Sequence, residues 1–253
     1  MSLIFYADNL VYQSNITASS VNAQFPVDNI KDVRRTKVFK SLSTSAQIVF
    51  DLGDVREIDS IALVDSGVDS FGFDSLVVEM SNVNSWATPP FQQSVTIDAI
   101  NGWANISLPS VESYRYVRFV LTNTGDNVGV SKVFIGKSFY NEQICFTYPI
   151  DYKQRNNATV STNRYGQKFF DEISSAKEIS GTIPALDKTE VEELFELLDL
   201  VSFTRPLWLN FNGLNIMLDA NRFNGCYYLK EDPTVSLGVG NFWDVELKLE
   251  EAM

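Results

Sequence analysis

Residues 46–64, AQIVFDLGDVREIDSIALV, decide the fold class of this chain. In Ala46–Leu52 apolar and polar residues alternate up to Gly53, and Ile58–Val64 then runs to the loop Asp65-Ser-Gly67. Alternation of this period marks a strand with one face in a core. Similar runs follow at Ser75–Met80, Ala104–Leu108, Tyr116–Leu121 and Val130–Ile135, with a long loop holding Trp86, Pro89 and Pro90 between the first two. Many short strands with regular turn signals, and no helical periodicity through residue 140, predict a β-sandwich or barrel.

Beyond Gly136–Asn141 the pattern changes. The polar stretch Asp151–Asn163 reads as a long hairpin loop, and Gln167–Phe170 and Lys177–Ile183 read as strands. One helix signal follows. Asp187 is placed as N-cap with Glu190 three residues on, the spacing of a capping box. Val191, Leu194, Phe195, Leu198 and Val201 recur at helical spacing opposite Glu192, Glu193, Glu196 and Asp199, so a helix is predicted over about 187–201. Pro206–Phe211 and Leu214–Leu218 read as strands joined by an Asn212-Gly213 turn, and Phe242–Leu249 as a closing strand. The chain is therefore expected to be mainly β: residues 1–140 a β-sandwich, residues 141–253 a β domain with one packed helix.

Composition narrows the function. Hydrophobic residues at 45% and charged residues at 21% are a globular balance, which excludes wholesale disorder. The net charge is −12, with residues 1–140 carrying 10 basic against 14 acidic groups and residues 141–253 carrying 10 against 18. That sign opposes binding to nucleic acid or to anionic lipid. The chain has no histidine, so triads, Cys-His pairs and His-rich zinc sites are excluded. Cys145 and Cys226 are too few for a four-thiolate site or a disulfide framework, and read as reduced, buried thiols. No glycine-rich phosphate loop is present, and no pair among the 32 acidic residues is singled out by context. No catalytic residue is assigned, and no enzyme is expected. The N-terminal MSLIFYADNLVYQSN lacks a basic region and a sustained apolar stretch, so no signal peptide is expected and folding is expected in a cytoplasm. No run approaches the ~20 apolar residues of a membrane-spanning helix.

The order Ala18-Ser-Ser20, Pro26-Val-Asp-Asn-Ile30, Asp32…Thr36…Phe39, Ile48–Gly53, Ile58–Leu63 and Arg115-Tyr-Val-Arg118 resembles discoidin (coagulation factor 5/8 C-type), galactose-binding-like domains over about residues 15–138. The resemblance implies a jelly-roll sandwich, sugar binding and a backbone-carbonyl calcium site. Candidate sugar-binding residues are Asp32, Arg34 and Arg35 in one loop and Trp86 in another. The alternatives are a solvated loop, or a contact face for the acidic second domain, and a Trp86 that closes the end of the sandwich. Calcium would fall to Asp28 and Asp32. Where the family often has Asp-Gly-Asn…Thr-x-Trp this chain has Asp32-Val-Arg-Arg-Thr36…Phe39, which offers few of the six to eight oxygens calcium takes. No other cofactor is implied.

The second half, with Arg164-Tyr-Gly166, Ile179-Ser-Gly-Thr-Ile183, the Asp187–Val201 helix, Pro206–Leu209 and the strand ending Val245–Glu251, resembles the small β domains of bacteriophage distal-tail and minor-tail proteins. That resemblance implies a structural virion component of a tail tip or baseplate, assembled in the host cytoplasm. It implies a homo-oligomeric ring, with tube, hub and tape-measure proteins as partners and an acidic lumen wall that repels DNA. The alternative is a carbohydrate-binding adhesin module that contacts a glycan of the bacterial surface.

Overall fold

The computed structural model describes residues 3–34, 37–64, 72–95, 97, 103–140, 144–162, 167–201, 205–211 and 224–251. The expected class holds: antiparallel sheets and, among the described residues, one α-helix. The strands are β1 (Ile4–Tyr6), β2 (Asn15–Ala18), β3 (Phe39–Lys40), β4 (Ser45–Val64), β5 (Ser75–Ser81), β6 (Phe91–Val95), β7 (Trp103–Thr122), β8 (Gly129–Val130) and β9 (Lys132–Gly136). They continue as β10 (Ser138–Tyr140), β11 (Thr147–Thr162), β12 (Lys168–Leu186), helix α1 (Lys188–Val201), β13 (Leu207–Asn210), β14 (Gly225–Leu229), β15 (Thr234–Leu237) and β16 (Trp243–Glu251).

The two runs read from residues 46–64 are halves of one strand. Residues 45–51 of β4 pair with 122–116 of β7, and after a register shift between Asp51 and Arg56 the strand pairs with 114–103. Gly53, at φ +83°, sits inside that shift, where the left-handed backbone suits glycine. The bend lets one strand serve two layers. Its first half lies between β2 and β7, in the layer that continues through β5 and β6, and its second half lies between β7 and β9. Ile48, Phe50, Ile61, Leu63, Phe119, Leu121, Val133 and Ile135 point between the layers and form the sandwich core.

The second sheet runs β10-β1-β13-β14-β16-β12-β11, with β15 on β16. Along β1, β13, β14 and β16 residues alternate between its two faces. Phe5, Leu209, Tyr227, Val245 and Leu247 face α1, packing with Leu194, Leu198 and Val201. Tyr6, Trp208 and Cys226 face the other way and close a buried cluster with Ala62 and Phe134 of the sandwich. This explains why Lys132–Gly136 is buried along its whole length: β9 has a core on each side.

The expected boundaries of 1–140 and 141–253 are corrected at both ends of the sandwich. β1 and β10 pair with each other in the second sheet. The sandwich is an insertion between them, carried by chain from about Leu10 to Gly136. A three-residue strand such as Ile4-Phe5-Tyr6 shows too little alternation to declare its sheet. The capping box forms as expected, with Glu190 N–H on Asp187 Oδ1 at 2.9 Å and Asp187 N–H on Glu190 Oε2 at 2.8 Å. Asp151–Asn163 is corrected from loop to strand through Thr162, since β11 pairs with β12 along Asp151–Thr162. The two strands read at 167–170 and 177–183 are one, β12. The Asn212-Gly213 turn and Leu214–Leu218 lie outside the described residues. Cys145 and Cys226 are not joined in a disulfide; Cys226 is buried on β14, and the half-buried Cys145 precedes β11. Among the described residues no helix is long and apolar enough to cross a membrane.

Candidate functional site

At the bend end of the sandwich, chain passes from Ser81 of β5 to Phe91 of β6 and faces the bend of β7. Asn82 ties the two together: its Oδ1 accepts from Arg115 N–H at 3.1 Å and its Nδ2 donates to the Ser113 carbonyl at 3.4 Å. Between them opens a cleft of about 830 Å³, within the size range of small-ligand sites. One wall is Val111, Glu112, Ser113 and Tyr114; the other is the β5–β6 connection, with Asn82, Ser85 and Thr88. Tyr114 packs partly on the sandwich core and gives the rest of its ring to the cleft. Burial and the Glu112 carboxylate raise the pKa of its hydroxyl, which therefore stays a neutral donor. Glu112 accepts from Ser110 Oγ at 2.9 Å. The adjacent Arg115 is committed elsewhere: its Nε and Nη2 bond Asp51 at 2.8 and 3.0 Å, and its guanidinium lies 4.9 Å from the Tyr116 ring centroid. That ion pair holds the Asp51 carboxyl below its ordinary range.

Trp86 is half-buried on the same connection, one residue from the cleft-lining Ser85. One face of its ring is covered by the Arg118 guanidinium, 4.6 Å from the centroid, and its indole N–H donates to Asn84 Oδ1 at 2.8 Å. Arg118 is itself paired with the buried Glu79 on the outer face of the sheet. Trp86 thus covers an ion pair on the sheet, and only its edge of the loop reaches the cleft.

Asp32 and Arg34 lie at the opposite end, where β4 finishes at Val64 beside Lys132 of β9. The half of β4 between Arg56 and Val64 spans about 25 Å at strand rise. The structure therefore does not bring Asp32 and Arg34 together with Trp86. Asp32 accepts from the Arg34 backbone and side chain at 3.0, 2.9 and 2.6 Å, and these bonds hold its carboxyl well below the usual carboxylate range. The loop also meets the second sheet, with Tyr228 Oη donating to the Val33 carbonyl at 3.5 Å. It is a contact face between the two units. Arg35 lies outside the described residues.

The calcium expected at Asp28 and Asp32 does not fit. Asp28 is exposed beside Lys31 at 3.9 Å, and Asp32 is taken by Arg34. The loop carbonyls of Asn29 and Lys37 each accept from Lys132 Nζ at 3.1 Å. Among the described residues no group of three or more Cys, Asp and Glu could hold a metal ion.

Tyr114, Glu112 and Asn82 went unread in the sequence. The signal lay in the Arg115-Tyr-Val-Arg118 strand, whose start sits beside Tyr114, but no spacing rule points from that strand to a loop more than thirty residues away in sequence.

No family profile and no curated protein matches this chain. Solved structures are similar over about half of it. The lectin domain of lectinolysin complexed with Lewis B antigen is 15% identical, covering 52% of this chain and 98% of that one, with a TM-score of 0.45. A Streptococcus pneumoniae fucose-binding module is 12% identical, covering 51% and 98%, with a TM-score of 0.44. A Clostridium perfringens module in complex with GalNAc-β-1,3-galactose is 12% identical, covering 51% and 100%, with a TM-score of 0.43.

Proposed function

We propose that the inserted sandwich is a carbohydrate-binding module and that its glycan lies in the cleft between the β5–β6 connection and the bend of β7. The observation that carries this reading is the lining: a half-buried tyrosine ring among a carboxylate, an amide and several hydroxyls. A sugar presents an apolar C–H face and a rim of hydroxyls, and this set answers both. An aromatic ring takes the face, while Glu112, Asn82, Ser85 and Thr88 offer acceptors and donors to the rim. Glu112 is the one charged side chain of the lining, on a chain of net charge −12. The ligand class that follows is neutral or amino sugars, because sialic and uronic acids would meet like charge. The reading involves binding without catalysis. A glycan array probed with the full chain tests it: signal on neutral or amino-sugar glycans supports it, and signal confined to acidic glycans, or none, contradicts it.

A second reading, the structural virion component of a phage tail tip, rests on a different observation. Beyond Lys153 and Glu178 the β11–β12 hairpin continues as Gln154–Thr162 against Lys168–Lys177 with no further strand on either side among the described residues. Unpaired strand edges suit pairing with a neighbouring copy or a tail partner. In that reading the module decorates a homo-oligomeric ring in the virion. Mass photometry of the purified chain tests it, a closed ring supporting it and a monomer at high concentration opposing it.

A further inference from the structure

We propose that the ammonium of Lys132 is the resident cation of the Val27–Phe39 loop, standing where the discoidin resemblance implies calcium and making the loop independent of metal. Lys132 is only 3% exposed, unusual for the longest-stemmed cation. A buried ammonium is costly unless polar groups replace its water. Here the Asn29 carbonyl, from the 3-10 turn at Val27–Lys31, and the Lys37 carbonyl, just before β3, both accept from Nζ at 3.1 Å. They come from opposite limbs of the loop, so one ammonium clasps its two sides. The Asn29 side chain strengthens the clasp by donating to the Val38 carbonyl at 2.8 Å.

A divalent ion using the same carbonyls would sit within a few ångströms of the ammonium, and that repulsion excludes it. The remaining carboxylates do not compensate, since Asp32 is held by Arg34 and Asp28 points to solvent beside Lys31. Lys132 opens β9, whose Val133 and Ile135 are core, so its position is set by the sandwich and not by the loop it serves.

The test is thermal unfolding of the full chain with excess EDTA and with excess calcium chloride, alongside Lys132→Met. The wild-type midpoint should be the same in both solutions. Lys132→Met, which keeps the stem and removes the charge and the hydrogen bonds to the Asn29 and Lys37 carbonyls, should lower the midpoint by roughly 5–10 °C. A wild-type midpoint that falls in EDTA and recovers with calcium would overturn the proposal, as would a Lys132→Met variant that unfolds at the wild-type temperature. If that variant fails to fold, the comparison of EDTA with calcium on the wild-type chain still decides.

Discussion

The ring of Tyr6 lies 5.1 Å from the ring of Phe134, centroid to centroid, across the junction between the second sheet and the inserted sandwich. Trp208, beside Tyr6 on the paired strand, meets the Phe134 ring at 5.9 Å in a tilted arrangement, and the Tyr6 hydroxyl accepts from Asn105 Nδ2 at 3.1 Å. All three rings are buried. The insertion is thus fastened through an aromatic core of its own, and its cleft is carried in a set orientation.

This fastening predicts one cooperative unfolding transition for the whole chain. Urea curves followed by tryptophan fluorescence and by far-ultraviolet circular dichroism should coincide. Phe134→Ala removes the ring that meets both Tyr6 and Trp208 and should cost about 3–5 kcal/mol, the usual range for a buried phenylalanine. Curves that separate in the wild-type chain would show two independent units.

The outgoing and returning chains cross closely at Gly136, where a Cβ would overlap the Asp8 carbonyl oxygen. Because the obstruction is backbone, it does not yield by a rotamer change. Gly136→Ala should destabilise by roughly 1–3 kcal/mol, read from the urea midpoint. Gly125→Ala, with nothing near the added methyl, is the control and should change little.

The helix stands on its capping box. Asp187→Ala removes the acceptor for Glu190 N–H and should cost about 1 kcal/mol. Chemical denaturation at neutral pH measures this directly.

The Asp51–Arg115 pair, which braces the bend beside the cleft, sets a pH dependence. The Asp51 carboxyl titrates below its ordinary 3.8 in the folded chain, chiefly because Arg115 bonds it. Its stabilisation is therefore complete above that value and lost as pH falls through the lower folded one. The stability gap between wild type and Asp51→Asn should be constant from neutral pH down to about pH 4 and shrink below it. A gap that stays constant under more acidic conditions would contradict the assignment.

Much of this fold was legible along the chain. Alternation at 46–52 and 116–121 identified sandwich strands, and Asp187 with Glu190 identified the start of the helix, because these signals are local. Three features were not legible. The bend at Gly53 merges two runs into one strand, and only the pairing of both runs with β7, on either side of a register shift, reveals it. The membership of Ile4–Tyr6 in the second sheet depends on Leu207–Asn210, some two hundred residues away. The cleft is built by a hydrogen bond from Arg115 to Asn82, and neither residue type announces a site. The loop of Asp32 and Arg34 reads as a site because charged residues cluster there; in the structure these two pair with each other.

The most direct test is a titration of the full chain with the strongest neutral or amino-sugar glycan, comparing Tyr114→Ala with Arg34→Ala. If the cleft is the site, Tyr114→Ala weakens binding at least about tenfold while Arg34→Ala leaves it unchanged. The reverse pattern, with binding lost in Arg34→Ala and intact in Tyr114→Ala, would place the glycan at the opposite end of the sandwich and contradict the account.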